Sequence, residues 1–168
     1  PMKNLTGPFM ELGRACIHRD FRKGSVITLL WKGIHEYMTL TEASILFGCS
    51  SLKINNPREA ALVFSYLKEQ GQVSPKVNGQ PRASYKMADI DFWIQFFAKG
   101  LTEIQVTEAQ ALIPSLLASY LKLGALLAAE PAFDKDFDCI DFLTILDRAV
   151  LGESILKKFG RRAPPSSP

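Results

Sequence analysis

The sequence has few cysteines and no pattern that would tie them together. Its 168 residues contain three, Cys16, Cys49 and Cys139, which lie far apart in the chain. An odd number of widely spaced cysteines indicates neither a disulfide framework nor a set of metal ligands. Because disulfides mark oxidising compartments, we expect a cytoplasmic protein, and we expect it to bind no metal.

Charge of one sign is also scarce. The chain has 20 lysine and arginine residues against 17 aspartate and glutamate residues, which gives a net charge of +3. It contains no long basic run and no alternation of basic with aromatic residues, so we expect no nucleic-acid partner. An acidic carrier protein or an anionic lipid surface stays compatible with this small basic excess.

The sequence has no uninterrupted apolar run of membrane length. Its longest apolar region, residues 112–129, contains Pro114, Lys122 and Gly124. This pattern predicts a helix with proline in its first turn and glycine at its end, followed by a short strand, and not a membrane span. The first residues lack the apolar core of a signal peptide. We therefore expect at most peripheral contact with a membrane, such as the inner membrane.

The composition is typical of a globular domain. Hydrophobic residues make up 47% of the chain and charged residues 22%, which is too apolar for an intrinsically disordered protein. We predict a single domain over residues 1–160. Residues 161–168 are rich in proline and serine, and we predict that they form a disordered tail.

The most informative pattern lies in the first 52 residues. It predicts a strand over 9–17, a helix from about 25 to 38 and a second strand over 45–52. In this helix an apolar stripe faces the sheet and His35 lies on the other side; the stripe consists of Ile27, Leu30, Trp31, Ile34 and Met38. Arg22, Lys23 and Gly24 fall just before the helix, where its first N–H groups would point outward and could hold a phosphate. Such loops are common and are usually only solvated, so the pattern alone does not establish a ligand. Gly48, inside the second strand, indicates a bulge or a close approach of another backbone segment.

The rest of the chain alternates between helix and strand patterns. Asn56, Pro57 and Glu59 are typical of a helix start, and Gly71 of its end. Further predicted elements are a loop over 72–82, helices over 89–99, 114–123 and 150–159, and strands over 125–130 and 140–146 that are joined by a loop through residue 138.

One predicted helix, over residues 89–99, is unusually aromatic. It contains Phe92, Trp93, Phe96 and Phe97. Such side chains could dock on a bilayer surface. The favoured interpretation is that they belong to the core or cover an acyl chain.

Several motifs resemble those of one known family. The stretches over 9–18, 21–34 and 47–49 are similar to the ornithine-acyl carrier protein N-acyltransferases and hemolysin-like acyltransferases, which have the acyl-CoA N-acyltransferase fold. The resemblance resumes over 113–125, 130–134 and 141–143, in the same order as in the family. Together these matches cover well over half of the chain.

The resemblance implies an α/β fold with a mixed, mainly antiparallel sheet flanked by helices. In the family, the strand that corresponds to 9–17 is preceded by three other strands, so this chain resembles the C-terminal part of such a domain. A strand without its neighbour presents unpaired backbone groups. We therefore predict self-association, or a partner chain, at residues 9–17.

The resemblance also implies a site. Glu11 would be the catalytic residue, holding the acceptor ammonium and helping to remove its proton, directly or through water. Arg14 would lie on the opposite face of the strand in a structural role. The thioester donor would be bound by residues from the loop before the helix and from the second strand, namely Arg22, Lys23, Gly24, Ser25, Val26, Phe47, Gly48 and Cys49.

The reaction implied is transfer of a fatty acyl group from acyl carrier protein or acyl-CoA to a small amine such as ornithine, as in ornithine-lipid synthesis. Two alternatives stay open from the sequence. The chain could be an inactive fragment or a carrier-binding module that needs a partner chain. It could instead resemble an acyl-homoserine-lactone synthase, since those enzymes share the fold and a similar Glu-x-x-Arg strand.

Overall fold

The computed structural model describes residues 5–14, 16, 18–21 and 26–159, with the side chains of 156–159 left out. The elements in these residues are β1 (Phe9–Glu11), α1 (Val26–Leu40), β2 (Ile45–Leu52), α2 (Pro57–Glu69), α3 (Ile90–Phe97), α4 (Glu103–Leu112), α5 (Ser115–Lys122), β3 (Leu126–Leu127), β4 (Ala132–Asp134), β5 (Cys139–Asp147) and α6 (Arg148–Phe159). Short 3-10 turns occur at Arg19–Phe21 and Ala83–Tyr85.

The strands form one mixed sheet in the order β1-β2-β5-β3, and β4 pairs with another stretch of β5. β1 runs parallel to β2, whereas β5 runs antiparallel to β2, β3 and β4. The longest ladder pairs all of β2 with β5, from Ile45 opposite Asp147 to Leu52 opposite Ile140. The predicted α/β fold with a mixed, mainly antiparallel sheet is confirmed.

The helices pack on one face of this sheet. Alternate residues of a strand point to opposite faces, and Leu46 and Leu52 of β2 belong to the two clusters that the helices complete. We call this the helix face. The opposite face carries Phe47 and Leu143, which pack with Val77 from the loop after α2. We call it the open face, because Cys49 and Ser51 on it are exposed.

Local sequence explains where two helices begin. At α2 the Asn56 side chain accepts a hydrogen bond from the Glu59 N–H at 2.8 Å, as predicted. At α4 Thr102 and Gln105 form a reciprocal capping box. The sequence analysis did not predict α4, although the Thr-x-x-Gln pattern that starts it was present.

Three predicted strand boundaries are wrong. The first strand was predicted over 9–17, but β1 ends at Glu11. Its last ladder contact is the Leu12 N–H to the Phe47 carbonyl, and Arg14 then has a positive φ of 52°, which ends the extended backbone. The strand predicted over 125–130 contains only β3, and the loop predicted before residue 139 contains β4.

α1 is amphipathic in a different way from the prediction. Trp31 and Met38 are buried as predicted, but Leu30, placed in the same stripe, is exposed. His35, predicted to lie on the other side, is half-buried and packs close to Gly152 of α6.

The predicted tail over 161–168 lies outside the described residues. Among the described helices, none is long and apolar enough to cross a bilayer.

One ion pair joins two helices of the helix layer and should make stability depend on pH. Arg58 of α2 donates two hydrogen bonds to Glu108 of α4, at 2.5 and 2.9 Å. These bonds lower the pKa of Glu108. A carboxyl with a lowered folded pKa stabilises the fold above its usual range, near 4.3, and this contribution is lost as pH falls through the folded pKa.

Glu108→Gln is therefore expected to lower the free energy of unfolding by roughly 0.2–1 kcal/mol at neutral pH, because the pair is about one-third exposed. At about pH 2 we expect no difference from wild type. Arg58 also lies over the Phe97 ring. A double-mutant cycle that combines Glu108→Gln with Arg58→Gln therefore separates the coupling energy of the ion pair from the energy of that ring contact. A coupling energy that is the same at both pH values would contradict this expectation.

Candidate functional site

Pairing between the two parallel strands stops just before Gly48, and we call this point the separation of the strands. β1 pairs with β2 only from Phe9 opposite Ile45 to Glu11 opposite Phe47. At Gly48 the backbone carbonyl of Leu12 approaches so closely that a Cβ atom would overlap with it. The predicted close backbone approach at this glycine is present. Beyond it, Cys49 and Ser51 of β2 have no partner strand on the β1 side among the described residues.

A cavity of about 270 Å³ lies beside this separation. Residues of β2 from Leu46 to Ser51 line it, which corresponds to a length of roughly 17 Å along the strand. The cavity is therefore elongated along β2 and suits a narrow, extended ligand.

The lining of the cavity is mainly apolar. Leu46 and Leu146 lie opposite each other in the β2–β5 ladder and form part of its floor. Helix α5 contributes apolar side chains from the other side. The remaining members that come from outside the sheet are Leu12, Arg14, Trp31, Pro114, Leu116, Leu117, Tyr120 and Ala125.

The polar groups of the floor satisfy each other. The hydroxyls of Ser50 and Thr144 lie 2.9 Å apart, and Thr144 also donates to the Phe142 carbonyl. Both residues are buried. Because buried hydroxyls with partners are inexpensive, this part of the floor does not require a ligand.

Trp31 and Tyr120 meet at the α1–α5 side of the cavity. Their rings pack edge to face with centroids 5.3 Å apart. Trp31 is only 5% exposed, and its Nε1–H has no hydrogen-bond acceptor within the described part of the chain. Burial raises the pKa of the Tyr120 hydroxyl, so that hydroxyl stays protonated at neutral pH.

Glu11 and Cys49 lie on the open face at the edge of the separation. Glu11 pairs with Phe47, so its side chain is on the same face as Phe47 and Cys49. Burial raises the pKa of the Cys49 thiol, and the negative charges of Asp141 and Glu11 raise it further. Cys49, which lines the cavity, is therefore a neutral thiol at neutral pH, which does not favour a covalent acyl-cysteine.

The structure brings together some of the predicted donor-binding residues. Phe47, Gly48 and Cys49 all line the cavity. Val26 is the first residue of α1. The other predicted members of the set, Arg22, Lys23, Gly24 and Ser25, lie outside the described residues.

Several lining residues were not predicted as site residues. Arg14 was assigned a structural role on a long strand, yet it follows β1 and lines the cavity. Trp31 was predicted only as core, and Tyr120 was not singled out. Cys16 fell inside the first predicted strand, but it is exposed and lies outside any strand, whereas Cys49 is exposed in β2 and Cys139 is buried. Nothing in the local pattern of α5 distinguishes a cavity wall from ordinary core.

Comparison with known proteins shows which proteins this chain is similar to. The family model "Acetyltransferase (GNAT) domain" matches residues 1–32, which include β1 and the first turns of α1. An L-ornithine N(alpha)-acyltransferase from Rhizobium meliloti (strain 1021) is 29% identical over 157 residues, covering 92% of this chain and 50% of the relative. Similar proteins with the same name occur in Rhodobacter capsulatus, at 25% identity over 96% of this chain and 59% of the relative, and in Agrobacterium fabrum, at 23% over 92% and 50%.

The chain is related to these N-acyltransferases. The resemblance found in its motifs is thereby confirmed. The chain spans about half the length of the curated acyltransferases it matches. No solved structure matched it significantly. Among the described residues, no three potential metal ligands lie close together.

Proposed function

We propose that the chain carries the donor site and the catalytic glutamate of an N-acyltransferase. The observation that carries the proposal is the separation of β1 from β2 at Gly48 beside an elongated apolar cavity. A pantetheine arm is narrow and extended, and it could lie in this gap with its acyl group in the cavity. The donor would be acyl-CoA or an acyl carrier protein, and the related proteins suggest ornithine as the first acceptor.

The phosphate end of the donor would lie at the start of α1. Helix N-termini present free N–H groups to anions, and α1 begins at Val26. Arg22, Lys23, Gly24 and Ser25 precede it in the sequence and would add charge and N–H groups. A cationic loop at this point would also suit the acidic surface of a carrier protein.

The acceptor amine would approach from the open face, next to Glu11. An ammonium cannot attack a carbonyl carbon, so it must first lose a proton, and Glu11 or a water bound to it would accept that proton. The neutral nitrogen then adds to the thioester carbon. The carbon–sulfur bond breaks, the nitrogen loses its second proton to the leaving thiolate, and an amide and a free thiol are formed. Positioning of the two reactants supplies a further part of the rate.

The proposal is tested by thiol release from long-chain acyl-CoA and acyl carrier protein, with and without ornithine, using purified chain whose folding is checked by circular dichroism. We expect release that depends on ornithine with at least one donor. A folded chain that binds a donor without releasing thiol would contradict the proposal and indicate a carrier-binding module that needs a partner chain. Preference for S-adenosylmethionine over ornithine would contradict it in favour of an acyl-homoserine-lactone synthase.

A further inference from the structure

One residue that lines the cavity has a buried hydrogen-bond donor that the described protein does not satisfy. Trp31 lines the cavity and is only 5% exposed. Its Nε1–H has no acceptor among the described residues. A buried donor without a partner is costly, and few exist in folded proteins. An acceptor atom supplied by a ligand would remove this cost.

The position of Trp31 limits which atom of a donor could meet it. It lies in the second turn of α1, after the helix start where the phosphate would bind, and it packs in one cluster with Leu12 and Leu46 beside the strand separation. Farther along the floor, Ser50 and Thr144 already bond to each other. With the phosphate at the start of α1, the thioester of the donor would lie beside Trp31.

We propose that the Trp31 Nε1–H and the Tyr120 hydroxyl donate hydrogen bonds to the carbonyl oxygen of the acyl thioester. The inference rests on the proposed function, because it places the thioester in this cavity. The two rings pack edge to face, and both residues line the cavity. Leu46, Leu117 and Leu146 then surround the first carbons of the acyl chain.

Two such donors would assist the reaction directly. When the amine nitrogen adds to the thioester carbon, the carbonyl π electrons move to the oxygen, which becomes negatively charged. Hydrogen bonds in a cavity with few water molecules stabilise this charge more than they stabilise the neutral carbonyl. The electrons then return to re-form the carbonyl as the carbon–sulfur bond breaks and the thiolate leaves. Both residues would contact the reacting group.

The test compares two octanoyl-length CoA analogues that differ by one oxygen. In the first, a methylene replaces the thioester sulfur and the carbonyl is kept as a ketone; in the second, that carbonyl is a methylene. Neither can transfer its chain, so binding is measured without turnover. The chain has two tryptophans, and Trp93→Phe leaves Trp31 as the only indole, so its fluorescence reports binding in the cavity.

We expect wild type and Trp93→Phe to bind the ketone roughly fivefold or more tightly than the analogue without oxygen, as loss of one hydrogen bond predicts. Trp31→Phe, followed by calorimetry, should lose part of this preference, because only the Tyr120 hydroxyl remains, and should bind the oxygen-free analogue as wild type does. Tyr120→Phe should reduce the preference in part. Where either variant proves unfolded by circular dichroism, the wild-type preference and the Trp31 fluorescence shift in Trp93→Phe decide the question.

The outcomes separate the two proposals. Equal binding of both analogues by wild type, or an unchanged preference in a folded Trp31→Phe, would overturn the role of Trp31 while leaving the donor site intact. Failure of the wild type to bind either analogue would overturn the donor site and this inference together. A preference that depends on Trp31, accompanied by an unchanged fluorescence spectrum, would place the carbonyl away from the indole and also overturn it.

Discussion

Exchange of Glu11 for glutamine is expected to slow amine-dependent acyl transfer by roughly 100-fold to 10,000-fold, the range typical for removal of a general base. The substitution keeps the size and hydrogen-bonding shape of the side chain but removes its charge and its basicity. Glu11 is exposed on the open face, so the fold should be unaffected. The measurement is ornithine-dependent thiol release at saturating donor.

Glu36→Gln provides a matched control. Glu36 is an exposed carboxylate on α1 that does not line the cavity, and its exchange removes the same charge from the chain. We expect the Glu36 variant to transfer acyl groups at the wild-type rate. Full activity of Glu11→Gln, or equal losses in both variants, would contradict a role for Glu11 as the base.

A second readout of Glu11 does not depend on activity. The charge of Glu11 is one of the influences that raise the pKa of the Cys49 thiol, after burial and Asp141. Glu11→Gln should therefore lower the pKa of Cys49, and alkylation of Cys49 should accelerate at a given pH. Cys16 is exposed and would also react. The measurement therefore compares Cys16→Ser with the double variant that carries Cys16→Ser and Glu11→Gln. An unchanged alkylation profile would show that Glu11 does not lie beside Cys49.

Replacement of Gly48 by alanine is the second large effect that we expect. A Cβ atom at this position would overlap with the Leu12 carbonyl oxygen, a backbone atom that cannot move aside as a flexible side chain can. β1 must therefore move away from β2. We expect the free energy of unfolding to fall by about 1–3 kcal/mol, as for other overpacked sites, and the affinity for CoA analogues to fall with it.

Gly33→Ala is the control for this substitution. Gly33 lies in the interior of α1 and is exposed, and a methyl group added there would meet open space. Alanine at this position should raise the free energy of unfolding by about 0.5–1 kcal/mol, because glycine is a poor helix residue. Urea unfolding of both variants gives the comparison. If Gly48→Ala is as stable as wild type and binds donor normally, the close approach of Leu12 is not important for the site.

The elements with strong local signals were predictable from the sequence. β2, α2 and β5 lie within one or two residues of their predicted bounds. The secondary structure of an apolar run or of a capped amphipathic segment depends little on tertiary contacts. β1, β3 and β4 were predicted with wrong lengths or not at all. Each has two or three residues in the structure, and so short a strand depends on its neighbour for its hydrogen bonds rather than on its own pattern.

The residues of the candidate site were likewise predictable only in part. Phe47, Gly48 and Cys49 could be named from the sequence only through the family resemblance, although Gly48 is also a visible local anomaly because it lies inside a strand. Trp31 and Tyr120 could not, since a buried tryptophan on an amphipathic helix usually belongs to the core. Their relation becomes visible only when α1 and α5, which are more than 70 residues apart in the chain, pack side by side and leave the indole N–H without an acceptor among the described residues.

The sequence alone determined the fold class, the main helices and strands, and a resemblance to N-acyltransferases that comparison then confirmed. These features depend on periodicity, caps and ordered motifs, all of which are local. Only the tertiary structure decided that β1 ends at Glu11, that the strands separate at Gly48 and that a cavity opens there between the sheet and α5. Such features arise from contacts between segments that are distant in the sequence. Because they depend on how those segments fit together in space, no local pattern of residues predicts them.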